Sequence, residues 1–262
     1  QLENVTVLTD AEKQQMRGQA LFWRAWDYWG KVFSVGGVPL ITHFQDVTNV
    51  ESLFVPRSST SDCVKQILAD LDEAIECLPD KWTGSDYGRI DKGGAKAFKG
   101  RMLLQYASPL FNPNNDKARW EAAYTANKDA VEFLQSVGKG LYEGDFADIW
   151  YDERNKEVIM VNQFYYPDHA LDQKNIRPGA LTKDNANQNQ AILPLLMAFP
   201  KLDGSKLELD IDRLASDPDY NQQFMTDFYT NRDPRFHATF VCPGTKYPGA
   251  SDVLPGDMKF WN

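Results

Sequence analysis

Over the first 140 residues, apolar side chains recur every three or four positions in four successive runs, each closed by glycine or proline. That periodicity permits little besides a row of amphipathic helices. The first run, Ala11 to about Phe33, sets Phe22, Trp26, Trp29 and Phe33 in one aromatic stripe, read as core packing, and Gly36-Gly37-Val38-Pro39 stops it. The second, Ser61 to Leu78, carries Val64, Ile67, Leu68, Leu71, Ala74, Ile75 and Leu78 on one face. Hydroxyls of Ser58 to Ser61 are available as N-caps, Asp62 suits the positive end of the helix dipole, and Pro79 follows. A third helix is expected from Gly94 to Leu110, with Ala95, Ala97 and Gly100 small enough for a neighbour to approach closely. The fourth starts at Asp116, faces inward through Trp120, Ala123, Tyr124, Ala130, Val131 and Leu134, and closes at Gly138 and Gly140.

Small and large residues alternating on inner faces make these helices similar to tetratricopeptide pairs, without the strict repeat signature. After Gly140 the texture changes. Glu157 to Tyr166 and Phe236 to Cys242 are strand candidates, and the polar stretch Asp168 to Gln190 between them cannot pack as core, so it reads as surface loop. The expected fold is mainly α: tetratricopeptide-like helix pairs over residues 1–140, then a mixed, loop-rich region over 141–262 with a few short strands, together one compact unit.

A net charge of −9 leaves no basic face evident in the sequence and disfavours binding to nucleic acid or to anionic membrane. No stretch approaches the roughly 20 apolar residues needed to cross a bilayer. Cys63, Cys77 and Cys242 form no metal-type spacing. Cys63 and Cys77 stand about 21 Å apart along one helix, too far for a disulfide, while a bond from either to Cys242 stays open. His43, His169 and His237 lie in no ligand run, and no serine-elbow or phosphate-loop motif occurs, so neither metal nor cofactor is expected. Acid/base chemistry has one candidate, the carboxylates Asp145, Asp148, Asp152 and Glu153 beside Trp150 and Tyr151. A solvated acidic loop explains them as well.

Aromatic planes for the apolar faces of sugar rings, with amide and carboxylate groups for hydroxyls, suit carbohydrate. Tyr165 and Tyr166, followed by Asp168, His169, Asn185 and Asn187, are the preferred constellation. Trp82 and Tyr87, in the loop between the second and third helices, and Trp261 are further candidates, although a loop aromatic can equally pin its loop to the core.

Five runs in order then resemble the SusD/RagB family. Arg17 to Trp29, closed by Gly36-Gly37-Val38-Pro39-Leu40, looks like its most diagnostic helix. Pro56-Arg57-Ser58, Asp70-Leu71-Asp72-Glu73-Ala74 and Leu78-Pro79 follow. Gly88-Arg89-Ile90-Asp91-Lys92-Gly93-Gly94-Ala95 is similar to the family's Gly-Arg-x-Thr-Lys-Gly-Ala-Ala, with Asp91 and Gly94 replacing Thr and Ala. Phe199 to Gly204 is similar to a short aromatic-to-Asp-Gly segment, though Met197 stands where an acidic residue is more usual, and Arg232-Asp233-Pro234-Arg235-Phe236 matches a run that leads into a strand. The resemblance implies a non-catalytic, cofactor-free lipoprotein of the bacterial outer membrane in Bacteroidetes-like bacteria. Such a protein captures oligosaccharide, or peptide in RagB-like members, at the cell surface for polysaccharide utilisation and passes it to a SusC-like TonB-dependent transporter. The family's lipid-bearing N-terminal Cys has no equivalent near Gln1 and its members are about twice as long, so portions at both ends are expected to lie outside this chain. The rival readings are an α-helical glycoside hydrolase and a tetratricopeptide-type module for protein or peptide.

Overall fold

A computed structural model describes residues 2–165, 167–170 and 190–242. It is mainly helical. Four long helices come first: α1 (Asp10–Val35), α2 (Thr60–Cys77), α3 (Lys92–Ala107) and α4 (Lys117–Ser136). Shorter ones follow: α5 (Leu193–Ala198), α6 (Ile211–Ser216), α7 (Pro218–Tyr229) and α8 (Pro234–Thr239). The chain forms two compact units, one of residues 1–141 and 154–163, the other of 142–153 and 164–262.

In the first unit α1 pairs with α2 and α3 with α4, the tetratricopeptide-like arrangement expected. Each helix begins where its sequence supplies an oxygen for the free amides of the first turn. Thr9 and Glu12 form a reciprocal capping box on α1, Ser59 accepts from Asp62 on α2, Asp91 from Gly94 on α3 and Asp116 from Ala118 on α4. The end of α4 is a Schellman turn: Gly138, at φ +89°, donates to Gln135 and Lys139 to Leu134. The end of α1 is held differently. Arg57 donates from Nε to the Gly37 carbonyl at 2.7 Å and from a terminal nitrogen to Val35 at 2.7 Å, so a cation sits at the negative end of the helix. A Cβ on Gly37 would lie 2.0 Å from the Ser58 carbonyl, so Gly-Gly-Val-Pro can lie against Pro-Arg-Ser only with glycine at this position.

The core of this unit runs through Phe22, Val32, Ile67, Leu71 and Met102, all nearly inaccessible. The aromatic stripe of α1 divides. Phe22 and Trp29 are buried as expected, whereas Trp26 and Phe33 are 39% and 46% exposed at the border of the core, with one face covered by Phe98 and Phe111 respectively. One charge lies inside: Asp70, 2% exposed, accepts both arms of Arg24 at 2.7 and 2.6 Å and the amide of Gln66 at 2.7 Å. It fastens α1 to α2.

The second unit has its own core of Leu207, Leu214, Phe224, Met225 and Phe228. Two motifs meet there. Arg232, 2% exposed, donates to the carbonyls of Leu196, Phe199 and Phe228 and lies 4.2 Å from the centre of the Phe236 ring. Asp233 then caps α8, accepting from the backbone and guanidinium of Arg235. These bonds hold its carboxyl at about 2, so this cap persists well into acid and is lost only as pH falls through that value.

Both strand expectations need correction. Phe236 to Cys242 begins inside α8, because Pro234 sits at the first helical position and Asp233 supplies the cap, signals that outweigh β-propensity. Of Glu157 to Tyr166, the described residues 157–165 form no strand. Among the described residues, β-pairing amounts to the isolated bridges Tyr165–His169 and Lys201–Arg232. None of the three cysteines forms a disulfide, which closes the question left open by the sequence. No described helix is long and apolar enough to cross a membrane.

Candidate functional site: an aromatic, basic cleft

The motif Gly88 to Gly94 builds one wall of a cleft of about 460 Å³ in the first unit. Gly88, at φ +95°, turns the chain where a Cβ would strike the Gln163 amide, and that amide donates to the Tyr87 carbonyl at 2.5 Å. Ile90 is buried and its carbonyl accepts the indole N–H of Trp82 at 2.7 Å, so the tryptophan is fixed edge-on to the loop. Gly93 and Gly94 start α3 against Leu134 and Ile90, closer than any side chain would permit. Asp91 caps the helix from inside the cleft. Burial pushes its carboxyl up, against the lowering effect of the Gly94 and Gly93 amides and of Lys139.

The opposite wall comes from Val137 to Lys139 at the end of α4 and from the returning segment 154–163. Gly140 donates to the Lys156 carbonyl at 3.1 Å, and Lys139 to that of Val158. Trp23 of α1, 51% exposed, completes the lining beside the half-buried Trp82 and Tyr87. Guanidinium groups lie over two of these rings, Arg89 at 5.5 Å from Trp82 and Arg154 at 4.8 Å from Tyr87. Arg89 is also paired with Asp86 at 3.1 Å.

Trp82 and Tyr87 are therefore brought into one cavity, and Trp82 is at the same time tied to its loop. Trp23 was absent from the sequence expectations; its signal was an outward position on a helix otherwise rich in buried aromatics. The expectation of no basic face is also corrected locally, since Lys81, Arg89, Lys139, Arg154 and Lys156 all line this cleft. They are scattered over 76 positions of an acidic chain, and only folding collects them.

The preferred constellation falls in the second unit and is seen in part. Tyr165 and His169 exchange backbone hydrogen bonds at 2.8 and 2.9 Å around a tight turn that carries the exposed Asp168. The His169 ring stacks on Phe164 with centroids 5.0 Å apart, and Tyr165 is 61% exposed. Tyr166, Asn185, Asn187 and Trp261 lie outside the described residues. The acidic loop forms a 3-10 turn from Phe146 to Trp150; Asp145, Asp148, Asp152 and Glu153 are all exposed, with Trp150 73% and Tyr151 76% exposed beside them. Loss of hydration, then the charges of Asp152, Asp148 and Asp145, push the Tyr142 phenol up. Among the described residues, no group of three or more His, Cys, Asp and Glu side chains is placed to hold a metal ion.

Residues 1–104 match a SusD-like family model described as starch-binding and associating with the outer membrane. The fold as a whole is similar to that of a SusD-like protein from Bacteroides fragilis, at 25% identity and a TM-score of 0.71, over 91% of this chain and 45% of that one. The chain is thus similar to SusD-like proteins, by the family model over residues 1–104 and in fold over most of its length. Two further Bacteroides fragilis structures share this SusD-like fold. One is a SusD-like carbohydrate binding protein (22% identity, TM-score 0.69, 92% of this chain and 42% of that one), the other a SusD superfamily protein (17%, 0.55, 79% and 39%). This SusD-like chain thus spans less than half the length of each. Among curated proteins, none matches it.

Proposed function

We propose that this chain is the glycan-capturing part of a cell-surface protein that binds oligosaccharide or polysaccharide without cleaving it and delivers it to a SusC-like TonB-dependent transporter. The whole protein would be held at the outer membrane by a lipid anchor. The observation that carries the reading is the cleft: Trp23, Trp82 and Tyr87 share one open cavity with amide and charged groups, the combination that sugar rings and hydroxyls require. The family-model match over residues 1–104 and the similar fold of a SusD-like carbohydrate binding protein support it. The turn at Tyr165, Asp168 and His169, with Tyr166, Asn185, Asn187 and Trp261, is kept as a second contact surface.

Affinity electrophoresis and calorimetry against a polysaccharide panel test this. At least one glycan should be retained intact, and Tyr87→Ala or Trp23→Ala should weaken binding by roughly 0.5–1.5 kcal/mol each, as expected for one lost ring. Tyr165→Ala measures the share of the second surface. Release of soluble sugar that disappears on Asp145→Asn or Asp148→Asn would sink the non-catalytic reading. Retention of peptide but of no glycan would move the substrate class.

A further inference from the structure

Five cationic side chains line the cleft against one carboxylate, Asp91, in a chain whose net charge is −9. Part of that charge is met by carboxylates, Arg89 by Asp86 and Lys139 by Asp91, and part is not. Lys139 donates to a backbone carbonyl and Arg154 stacks on the Tyr87 ring. Among the described residues, neither Arg154 nor Lys81 takes part in an ion pair. Asp91 does not cancel the group, because its oxygen accepts from Gly94 at 2.8 Å and its charge faces Lys139 and the start of α3. An ion pair leaves little field at a surface, whereas cations held by carbonyls and rings keep theirs, and concave walls focus it.

We infer that the cleft receives an anionic saccharide, one whose rings bear carboxylate or sulfate groups, with Arg154 facing the acidic group and Tyr87 and Trp23 facing the ring. This rests on the glycan-binding reading and narrows its substrate class. A guanidinium already seated on an aromatic ring is pre-organised for such a ligand: its fork can donate to two anionic oxygens while the aromatic plane beside it meets apolar sugar carbons. A cavity of about 460 Å³ is of the size that small-molecule ligands occupy.

The test compares the 262-residue chain's binding to polygalacturonate with its carboxyl-reduced form, and to a sulfated galactan with its desulfated form, at low and high salt. At least one charged polymer should bind, and removal of its acidic groups should weaken binding roughly tenfold, the scale of one charge-assisted hydrogen bond. The pair that responds identifies carboxylate or sulfate as the acidic group. Arg154→Gln should give a similar loss with an unchanged helical circular-dichroism signal, Arg154→Lys should recover part of it, and Lys128→Gln on the outer side of α4 should have no effect. Equal or tighter binding of the neutral forms, indifference to Arg154→Gln, or equal retention of a single-stranded oligonucleotide would overturn the inference and leave glycan capture standing. Failure to retain any polymer would overturn both.

Discussion

Arg24 and Asp70 show how residues of one charge class act differently according to burial. Lys31 and Asp27, four residues apart on α1, form an ion pair with side chains 51% and 69% exposed, where water screens the attraction. Asp70 is almost fully covered, and removing it would strand the Arg24 guanidinium, whose side chain is 31% exposed. Asp70→Ala should therefore cost about 2–4 kcal/mol, somewhat below the range for a fully buried pair, while Lys31→Ala should stay within about 0.5 kcal/mol of the parent. Urea unfolding followed by circular dichroism measures both, and equal small losses would show that Arg24 finds water when its partner is gone. The sequence held a clue to this pair, since Asp70 falls on the apolar face of α2 among Ile67, Leu71 and Ala74. Its partner 46 positions away was not readable, because nothing local distinguishes Arg24 from other arginines of an amphipathic helix. The aromatic stripe held only for Phe22 and Trp29, for a related reason. Periodicity puts Phe22, Trp26, Trp29 and Phe33 within a narrow arc, but how much of each ring a neighbouring helix covers is decided by α3 and the turn at Phe111.

At the scale of elements, the boundaries of α1 to α4 were legible to within one to three residues, since caps and stops are local chemistry written in Ser59, Asp91, Asp116, Pro79 and Gly138, while α5 to α8 were not foreseen. Strands were misread. β-branched and aromatic residues in 157–165 and 236–242 pair with no neighbouring strand here, and a strand needs a partner that composition cannot supply. The start of α3 joins element to site through Asp91, and its two roles can be separated. As an N-cap its oxygen satisfies a free amide; as a buried carboxylate it carries a desolvation cost, which burial expresses by raising its folded pKa. A raised acid pKa means that the folded state holds the proton more tightly than the unfolded one, so this group's contribution falls as pH rises through the carboxylate range and is flat above it. Asp91→Asn keeps the cap and removes the charge, whereas Asp91→Ala removes both. The Ala variant should be about 1 kcal/mol less stable than the Asn variant at every pH. The parent should lose ground to the Asn variant between acid and neutral pH. Denaturation midpoints of the three proteins at pH 3 and pH 7 check this, and coincident Ala and Asn curves would remove the capping role.

For the molecule as a whole, the order of motifs was readable from Arg17 to Phe240, while the cleft they build was not. Its walls are segments 81–91, 137–139 and 154–161, joined by the Gly140 N–H donating to the Lys156 carbonyl and by the Gln163 amide donating to the Tyr87 carbonyl, and a bond to a backbone carbonyl leaves no trace in residue type. The two units also have separate cores, with no described residue in common between the Phe22 cluster and the Phe224 cluster. A cavity made in one core removes packing from that cluster alone, so its effect should be local in the first instance. Phe22→Ala should cost about 3–5 kcal/mol in the first unit, the ordinary penalty for emptying a fully buried aromatic site. Hydrogen exchange read by mass spectrometry should then show faster exchange across α1, α2 and α3, with α7 and α8 keeping their protection. Equal loss in both sets of helices would mean that the units unfold in one cooperative step, and a ligand seated in the cleft would then stabilise the whole chain rather than the helices around it.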